Sequence, residues 1–370
     1  MKGRVFIMPK IYFTSESVTS GHPDKICDLI ADSILDAAIA QDPESHMAVE
    51  ATIKDDLILI YGEAGTKADI DYEKIALSVL KEIGYTEDYH VMVKVNKQSS
   101  EINSAVAHDQ ISAGDQGIMF GYASDETEEL MPYAIMTAHK LAAKLEEVRR
   151  RTPWLRPDGK TQVTAEYNDG KLTRVDAIVV STQHDASATQ EMIRDLIMKE
   201  VITPVVDPSL LDENTKYFIN PSGSFVLGGS WGDSGTTGRK IVVDTYGGYA
   251  PIGGGCFSSK DPTKVDRSAA YYARYVCRNL VANGLAHKCQ IELSYAIGVQ
   301  QPISVYVQSF GTSKYTDDEL QQIVLKNFDF SVANIISELD LRRPIYRSTV
   351  NYGHFGKKDL PWEQFKKIEL

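Results

Sequence analysis

Positive charge is in short supply: 39 lysines and arginines face 51 aspartates and glutamates, a formal net charge of −12. That balance argues against a nucleic-acid coat or an anionic membrane surface as the main partner, because both select basic proteins. An anionic substrate stays open, since a local basic cluster overrides the global sign. Cysteine is scarce too. Cys27, Cys256, Cys277 and Cys289 form no C-x-x-C pair, which disfavours a disulfide framework or zinc knuckle and points to a reducing, cytoplasmic setting. No apolar run approaches the roughly 20 residues of a membrane span, and Val5–Met8 is too short for a signal-peptide core. Two nucleotide signatures are missing: G-x-x-x-x-G-K-[ST] and G-x-G-x-x-G. If a nucleotide binds, it does so through neither a P-loop nor a dinucleotide fold.

What is present is an ordinary globular mix, 43% hydrophobic and 24% charged, in a chain of 370 residues, enough for two or three domains. A rhythm of helix, hairpin and helix runs along it. Ile26, Leu29, Ile30, Ile34 and Ala38 have helical spacing, Met47–Ile53 and Leu57–Tyr61 alternate as strands, and Tyr72–Ile83 is helical up to Gly84. The order returns in residues 132–150, a hairpin over 161–182 about Asn168-Asp169-Gly170, and a helix over 188–201. It returns again in a helix after Pro262 that stops at Gly284, a hairpin over 290–310, and a helix opened by the capping box of Thr316 and Glu319. The expectation is an α+β fold of three similar units with pseudo-threefold arrangement, each a sheet with helices on one face. Their bounds fall at 11–108, 112–228 and 229–367, and the missing linkers suggest units interleaved in space.

Chemistry concentrates in three places. Eleven of the 26 glycines lie between Gly223 and Gly255, a density that costs backbone entropy and implies tight turns or close approach to a ligand. Arg239 and Lys240 sit among them, and glycine N–H groups beside cations suit polyphosphate; plain turns are the alternative. Lys260–Arg267 interleaves cations and carboxylates at a helix start, either as a cap and a solvated face or as a binding cluster. Ser20–Lys25 offers an imidazole (His22), a carboxylate (Asp24) and an ammonium (Lys25) at a helix N-terminus, where anions are favoured. Asp28, Asp32 and Asp36 follow at four-residue spacing and read as a solvated helix face. Glu50 interrupts a strand and Glu63 follows one; each either points to solvent or, if buried, needs a cation.

Several long stretches, in order, resemble the methionine adenosyltransferase (S-adenosylmethionine synthetase) family. They are Phe13–Lys25, Gly114–Tyr122, Gly238–Gly248, Gly253–Ala270 and Tyr295–Val299, and the likeness runs from about residue 11 to Glu363. The resemblance implies three α+β units and a reaction in which the methionine sulfur attacks C5′ of ATP. The tripolyphosphate that leaves is then hydrolysed to phosphate and diphosphate. It implies two Mg²⁺ per site on Asp24 and Asp266 and one K⁺ per subunit on Glu50. His22, Lys260 and Arg239 take catalytic roles in this reading. ATP contacts fall on His22, Asp158, Gly159, Lys160, Ser224, Phe225, Asp233, Arg239, Lys240, Cys256 and Lys260. Methionine contacts fall on Glu63, Gln98, Asp233 and Lys264. A mobile active-site loop spans about Ser99 to Ala113, followed by Asp115, and is shorter than in many relatives. The implied assembly is a homodimer with active sites at the subunit interface, itself a dimer of dimers. Five positions depart from the family's usual residues: Ser224 (arginine), Ser230 (proline), Thr236 (leucine), Cys256 (alanine) and Ser259 (glycine).

Overall fold

The computed structural model describes residues 10–97 and 111–370. Its long helices form where apolar residues recur at helical spacing. In α1 (Pro23–Gln41), Ile26, Ile30, Ile34 and Ala38 make one buried stripe, and Pro23 stands in the first turn, where its missing N–H costs nothing. α2 (Tyr72–Ile83) opens on Asp71, which accepts from Lys74 N, and ends at Gly84 with φ 110°, a left-handed cap suited to glycine. α3 (Tyr133–Arg150) and α5 (Val265–Ala282) carry the other two long apolar stripes. α4 (Gln190–Leu196) widens into a π-helical stretch over Ile197–Ile202. There Thr203 Oγ1 reaches the Met198 carbonyl at 2.8 Å, and Pro204 has no N–H with which to continue an α ladder. The single helix expected over 188–201 is therefore split. α6 (Asp317–Asn327) has both halves of the Thr316–Glu319 capping box, and α7 (Val332–Glu338) follows.

Three sheets share a plan. The first pairs the antiparallel hairpin β2 (His46–Lys54) and β3 (Leu57–Gly65), with β4 (His90–Asn96) parallel to β3. In the second, β6 (Leu155–Asn168) and β7 (Lys171–His184) form the hairpin and β8 (Lys216–Ile219) lies parallel to β7. The third is built on β10 (Lys288–Tyr295) and β11 (Ser304–Gln308). Each hairpin's first strand receives one more strand from a different third of the chain. β1 (Ile11–Val18) joins β6, β5 (Gly117–Ser124) joins β10, and β9 (Gly235–Thr236) joins β2, all antiparallel. A long helix crosses each sheet: α1 on β2, α3 on β6 and β1, α5 on β5 and β10. This is an α+β fold of three similar units.

The three loaned strands form a ring. One apolar core runs continuously from α1, β2 and β3 to α5 and β10; a second lies between α3, β6 and β7. For function, the loan that matters is β9. Pairing Thr236 with Thr52 and Gly235 with Ile53 pins the glycine-rich segment against the first unit, beside the N-terminus of α1.

Candidate active site

His22 is the N-cap of α1. Its Nδ1 accepts from Asp24 N at 3.2 Å, and the residue is only 3% exposed. A ring whose Nδ1 accepts carries its proton on Nε2. Burial first, then the charges of Lys240 and Lys160, push His22 down to about 3. The ring is thus a neutral donor at physiological pH.

Asp24, in the first turn of the helix, is buried. Its Oδ1 accepts from Thr236 N at 3.0 Å and its Oδ2 from Lys240 Nζ at 2.6 Å, with Arg239 Nε 3.6 Å from Oδ1. Burial works against its charge, but the Lys240 and Thr236 bonds outweigh it, and the carboxyl lies below its ordinary range. Arg239 itself is half exposed, free to turn toward a ligand.

Asp28 and Asp32 do not face solvent, contrary to the expectation of a wet face, and Asp36 is largely buried. The acidic stripe of α1 is a docking rail for the last third of the chain. Asp28 accepts from Gly238 N at 2.8 Å, Asp32 from Ser259 N at 3.0 Å, and Asp36 from Tyr346 N and Arg347 N at 2.9 and 3.0 Å. Backbone donors and buried cations replace water as their partners. Lys25 belongs to this layer rather than to the cleft: it is 1% exposed and bridges Asp28 and Asp244.

A second group forms around Lys260–Arg267. Lys260 pairs with Asp266, and Lys264 Nζ lies 3.3 Å from Asp261. Neither Asp261 nor Thr263 caps α5. Asp261 is fully buried and holds Met47 N of β2 at 2.8 Å together with Thr263. Ala48 on β2 bridges Lys260 on one side and Glu63 on the other, which puts those two in one row. Glu50 is half-buried, faces Tyr61 and accepts its hydroxyl at 3.2 Å. Gly255 and Gly117 crowd Asp266; a Cβ at Gly255 would lie 2.1 Å from its carboxylate. Cys256 abuts Gly238, where a Cβ would meet Sγ at 2.7 Å, so the two groups share a wall.

The third group is the wall of β6. Asp158 Oδ2 accepts from Gly229 N at 2.9 Å, Oδ1 has no partner among the described residues, and burial lifts this carboxyl to about 6. Gly159 packs against Leu145 and its carbonyl takes Thr19 N. Lys160 is exposed, as are Asp233 and Ser224. Phe225 is half-buried; its N–H donates to His184 Nε2 at 3.1 Å and its carbonyl accepts from His184 N at 3.0 Å. Gln98 and Ser99 lie outside the described residues. Ala113 is buried and bonded to Val299 and Gly298, while Asp115 is exposed. Sequence reasoning missed Gln183, which holds Asp158 N and the Val226 carbonyl, and Tyr85, whose hydroxyl donates to Gly21 O at 2.8 Å. No local signal marks either one; their role exists only once β6, β7 and α2 converge.

Among the described residues no three histidines, cysteines or acids converge as a metal cage. Asp24 and Asp266 each stand beside a lysine, Lys240 and Lys260. That donor set fits Mg²⁺ arriving with phosphate oxygens and taking one carboxylate, the usual habit of this ion. Glu50, half-buried with no ion-pair partner among the described residues, fits a monovalent cation.

Chemically, a neutral imidazole donor with several cations about it suits a polyanion, the business of a nucleotide-using transferase. Comparison with known families makes this specific. Models of the N-terminal, central and C-terminal domains of S-adenosylmethionine synthetase match residues 10–110, 110–225 and 227–364. The chain belongs to the S-adenosylmethionine synthetase family. It is 51% identical to the S-adenosylmethionine synthase of Clostridium tetani (strain Massachusetts / E88) over 381 positions, covering 96% of this chain and 97% of that relative.

Proposed function

We propose that this chain makes S-adenosylmethionine from methionine and ATP by direct displacement. The observation that carries the reading is His22: neutral, buried, its Nε2 proton available, with Lys240 and Lys160 near enough to depress its basicity. The thioether sulfur has a lone pair and no proton to lose, so no general base is needed. Its lone pair forms the S–C5′ bond as the C5′–O bond breaks, and both electrons of that bond leave with the tripolyphosphate. Catalysis then rests on alignment and on stabilising the leaving group's charge. His22 donates to the departing oxygen. Arg239, Lys240, Lys260 and Lys160 face the phosphate chain. Glu63 takes the methionine ammonium, Lys264 its carboxylate, and Gln98 and Asp233 complete that subsite. Asp158, Gly159, Ser224, Phe225 and Cys256 line the nucleoside end.

Asp24 and Asp266 would hold Mg²⁺ and Glu50 would hold K⁺. Bound there, Mg²⁺ neutralises phosphate charge as a Lewis acid. For the second step, water attacks a phosphorus of the tripolyphosphate and a P–O bond breaks, giving phosphate and diphosphate before release. The same cations serve both steps, because the chain stays where it was formed. We further place the reaction in the cytoplasm, in a homodimer whose sites lie between subunits and which pairs into a tetramer. Among the described residues no helix is long and apolar enough to cross a membrane.

Incubating the purified protein with ATP, methionine, Mg²⁺ and K⁺ tests the reading. The expected products are one sulfonium, one phosphate and one diphosphate per ATP. Phosphate release with no methionine-dependent sulfonium would replace it with a phosphohydrolase.

A further inference from the structure

His22 can serve a departing oxygen only if its loop holds the ring in one place, and a residue outside the site reaches that loop. Tyr85 directly follows Gly84, the left-handed cap of α2, and its N–H bonds Leu80 O at 3.0 Å. The ring is 4% exposed and packs into the core that α1, α2 and β2 share. Its hydroxyl donates to Gly21 O at 2.8 Å, and among the described residues it is the one donor to that carbonyl.

This bond bears on His22 through covalent geometry. The Gly21 carbonyl and the His22 N–H are the two ends of one planar peptide unit and point in opposite directions. Tyr85 holds the first end; Thr19 O takes His22 N at 3.2 Å and holds the second. With both ends bonded the plane cannot swing, and the Cα–Cβ bond of His22 is aimed. The bond from Asp24 N to Nδ1 then sets the ring itself, with Nε2 left as the donor. Packing leaves the loop little room: a Cβ at Gly21 would lie 2.4 Å from the Pro157 backbone. Gly229 lies against the same phenol, for a Cβ there would be 2.3 Å from the Tyr85 hydroxyl oxygen, and Gly229 N is held by Asp158. Tyr85 thus stands where the His22 loop meets the glycine-rich segment.

We propose that Tyr85 is a positioning residue for the reaction: its hydroxyl fixes the Gly21–His22 peptide and so aims the Nε2 proton of His22 at the departing oxygen. The inference rests on the leaving-group role proposed for His22. Tyr85 touches no substrate in this reading, so loss of its hydroxyl slows the chemical step and spares binding. A tyrosine that merely fills the core would affect turnover without regard to what stands at position 22.

A double-mutant cycle separates the two: parent, Tyr85→Phe, His22→Asn and the double variant, each as the whole protein with ATP, methionine, Mg²⁺ and K⁺. The readouts are the single-turnover rate of sulfonium formation and the equilibrium affinity for ATP. Tyr85→Phe keeps the ring and its packing. Its rate should fall about tenfold, within the loss of up to about 10²-fold that misplacing a catalytic group can cause, with ATP affinity inside about twofold of the parent's. In the His22→Asn background the same change should alter the rate by less than about twofold, because no donor is left to aim. Tyr85→Met, which fills the space flexibly without a hydroxyl, should repeat both results. An equal loss in the two backgrounds overturns the inference, as does a parent-like rate in Tyr85→Phe or a loss confined to ATP affinity. Parent-like turnover of His22→Asn alone would instead remove the leaving-group role, and this inference with it.

Discussion

Arg267 meets Asp32 as a two-pronged ion pair: Nη1 is 2.8 Å from Oδ1 and Nη2 2.6 Å from Oδ2, with both side chains out of solvent. The pair ties α5 to α1. It therefore sets where Asp266, the preceding residue, stands relative to Asp24. Removing one partner strands a buried charge, which costs about 3–5 kcal/mol. Asp32→Asn should lower the unfolding free energy by that much, and Arg267→Lys should not rescue the fork, because an ammonium makes only one prong. Urea unfolding measures both. A loss below about 1 kcal/mol for Asp32→Asn would mean that Arg267 is not left as an unpaired buried charge, other groups or water taking the place of the carboxylate.

His22→Asn keeps an N-cap side chain and removes the Nε2 donor. Turnover is expected to fall by about 10²–10³, the range for losing one leaving-group or oxyanion donor. ATP affinity should stay within about threefold, since the phosphate cations remain. Steady-state kinetics and equilibrium ATP binding separate the two effects. Unchanged turnover removes the leaving-group role.

Asp266→Asn leaves Lys260 without its carboxylate and the proposed ion without its ligand. The Mg²⁺ concentration for half-maximal rate should rise about tenfold, one charged ligand being worth around 1.4 kcal/mol or more. A Mg²⁺ titration identical to the parent's counts against metal ligation at this position.

Much of this fold was legible because helices and hairpins announce themselves by period. Less legible were β1, β5 and β9. In β1 the buried positions are Ser15, Ser17 and Val18, while Ile11 and Tyr12 are exposed, so its polarity runs opposite to a half-buried strand. Ser15 and Ser17 are buried because they bond to Gly247 O and His139. β5 contains Gly121, needed because Ala273 of α5 lies 2.2 Å from where a Cβ would be; β9 is two residues long. The aspartates of α1 showed their spacing but not their burial, since their backbone partners come from more than 200 residues away. For the site, composition marked the segments around His22, Arg239 and Lys260. Contacts such as Asp24 with Lys240 depend on β9 crossing to β2, which no local pattern encodes.

Ser259 holds φ 82°, in the left-handed region that favours glycine. Its N–H is committed to Asp32, so the backbone cannot relax. Ser259→Gly should stabilise the protein by about 1 kcal/mol, the cost of a side chain in that region less the entropy that glycine adds to the unfolded chain. The gain should appear as a higher urea midpoint with an unchanged slope. A loss of stability would show that the serine side chain contributes more than its backbone costs.

Acid should find the buried histidines. His139 is wholly enclosed, with Nδ1 2.8 Å from Ser17 Oγ, and burial pushes it down to about 3. An unfolded histidine takes a proton near 6.5. Above that pH the ring is neutral in both states and its contribution is complete. Below it the unfolded chain binds a proton that the native state refuses, so stability is lost as pH falls toward 3, at about 1.4 kcal/mol per pH unit. Asp28 and Asp158, raised by burial to about 7 and about 6, act in the opposite sense over part of this window. The informative quantity is therefore the difference between the parent and His139→Gln, whose side chain can still meet Ser17 but does not titrate. From about pH 6.5 downward the variant should gain on the parent by about 1.4 kcal/mol per unit. A difference that stays constant between about pH 7 and pH 5 would mean that His139 is protonated in the native protein, with an unseen anion or water supplying what its Nε2 lacks among the described residues.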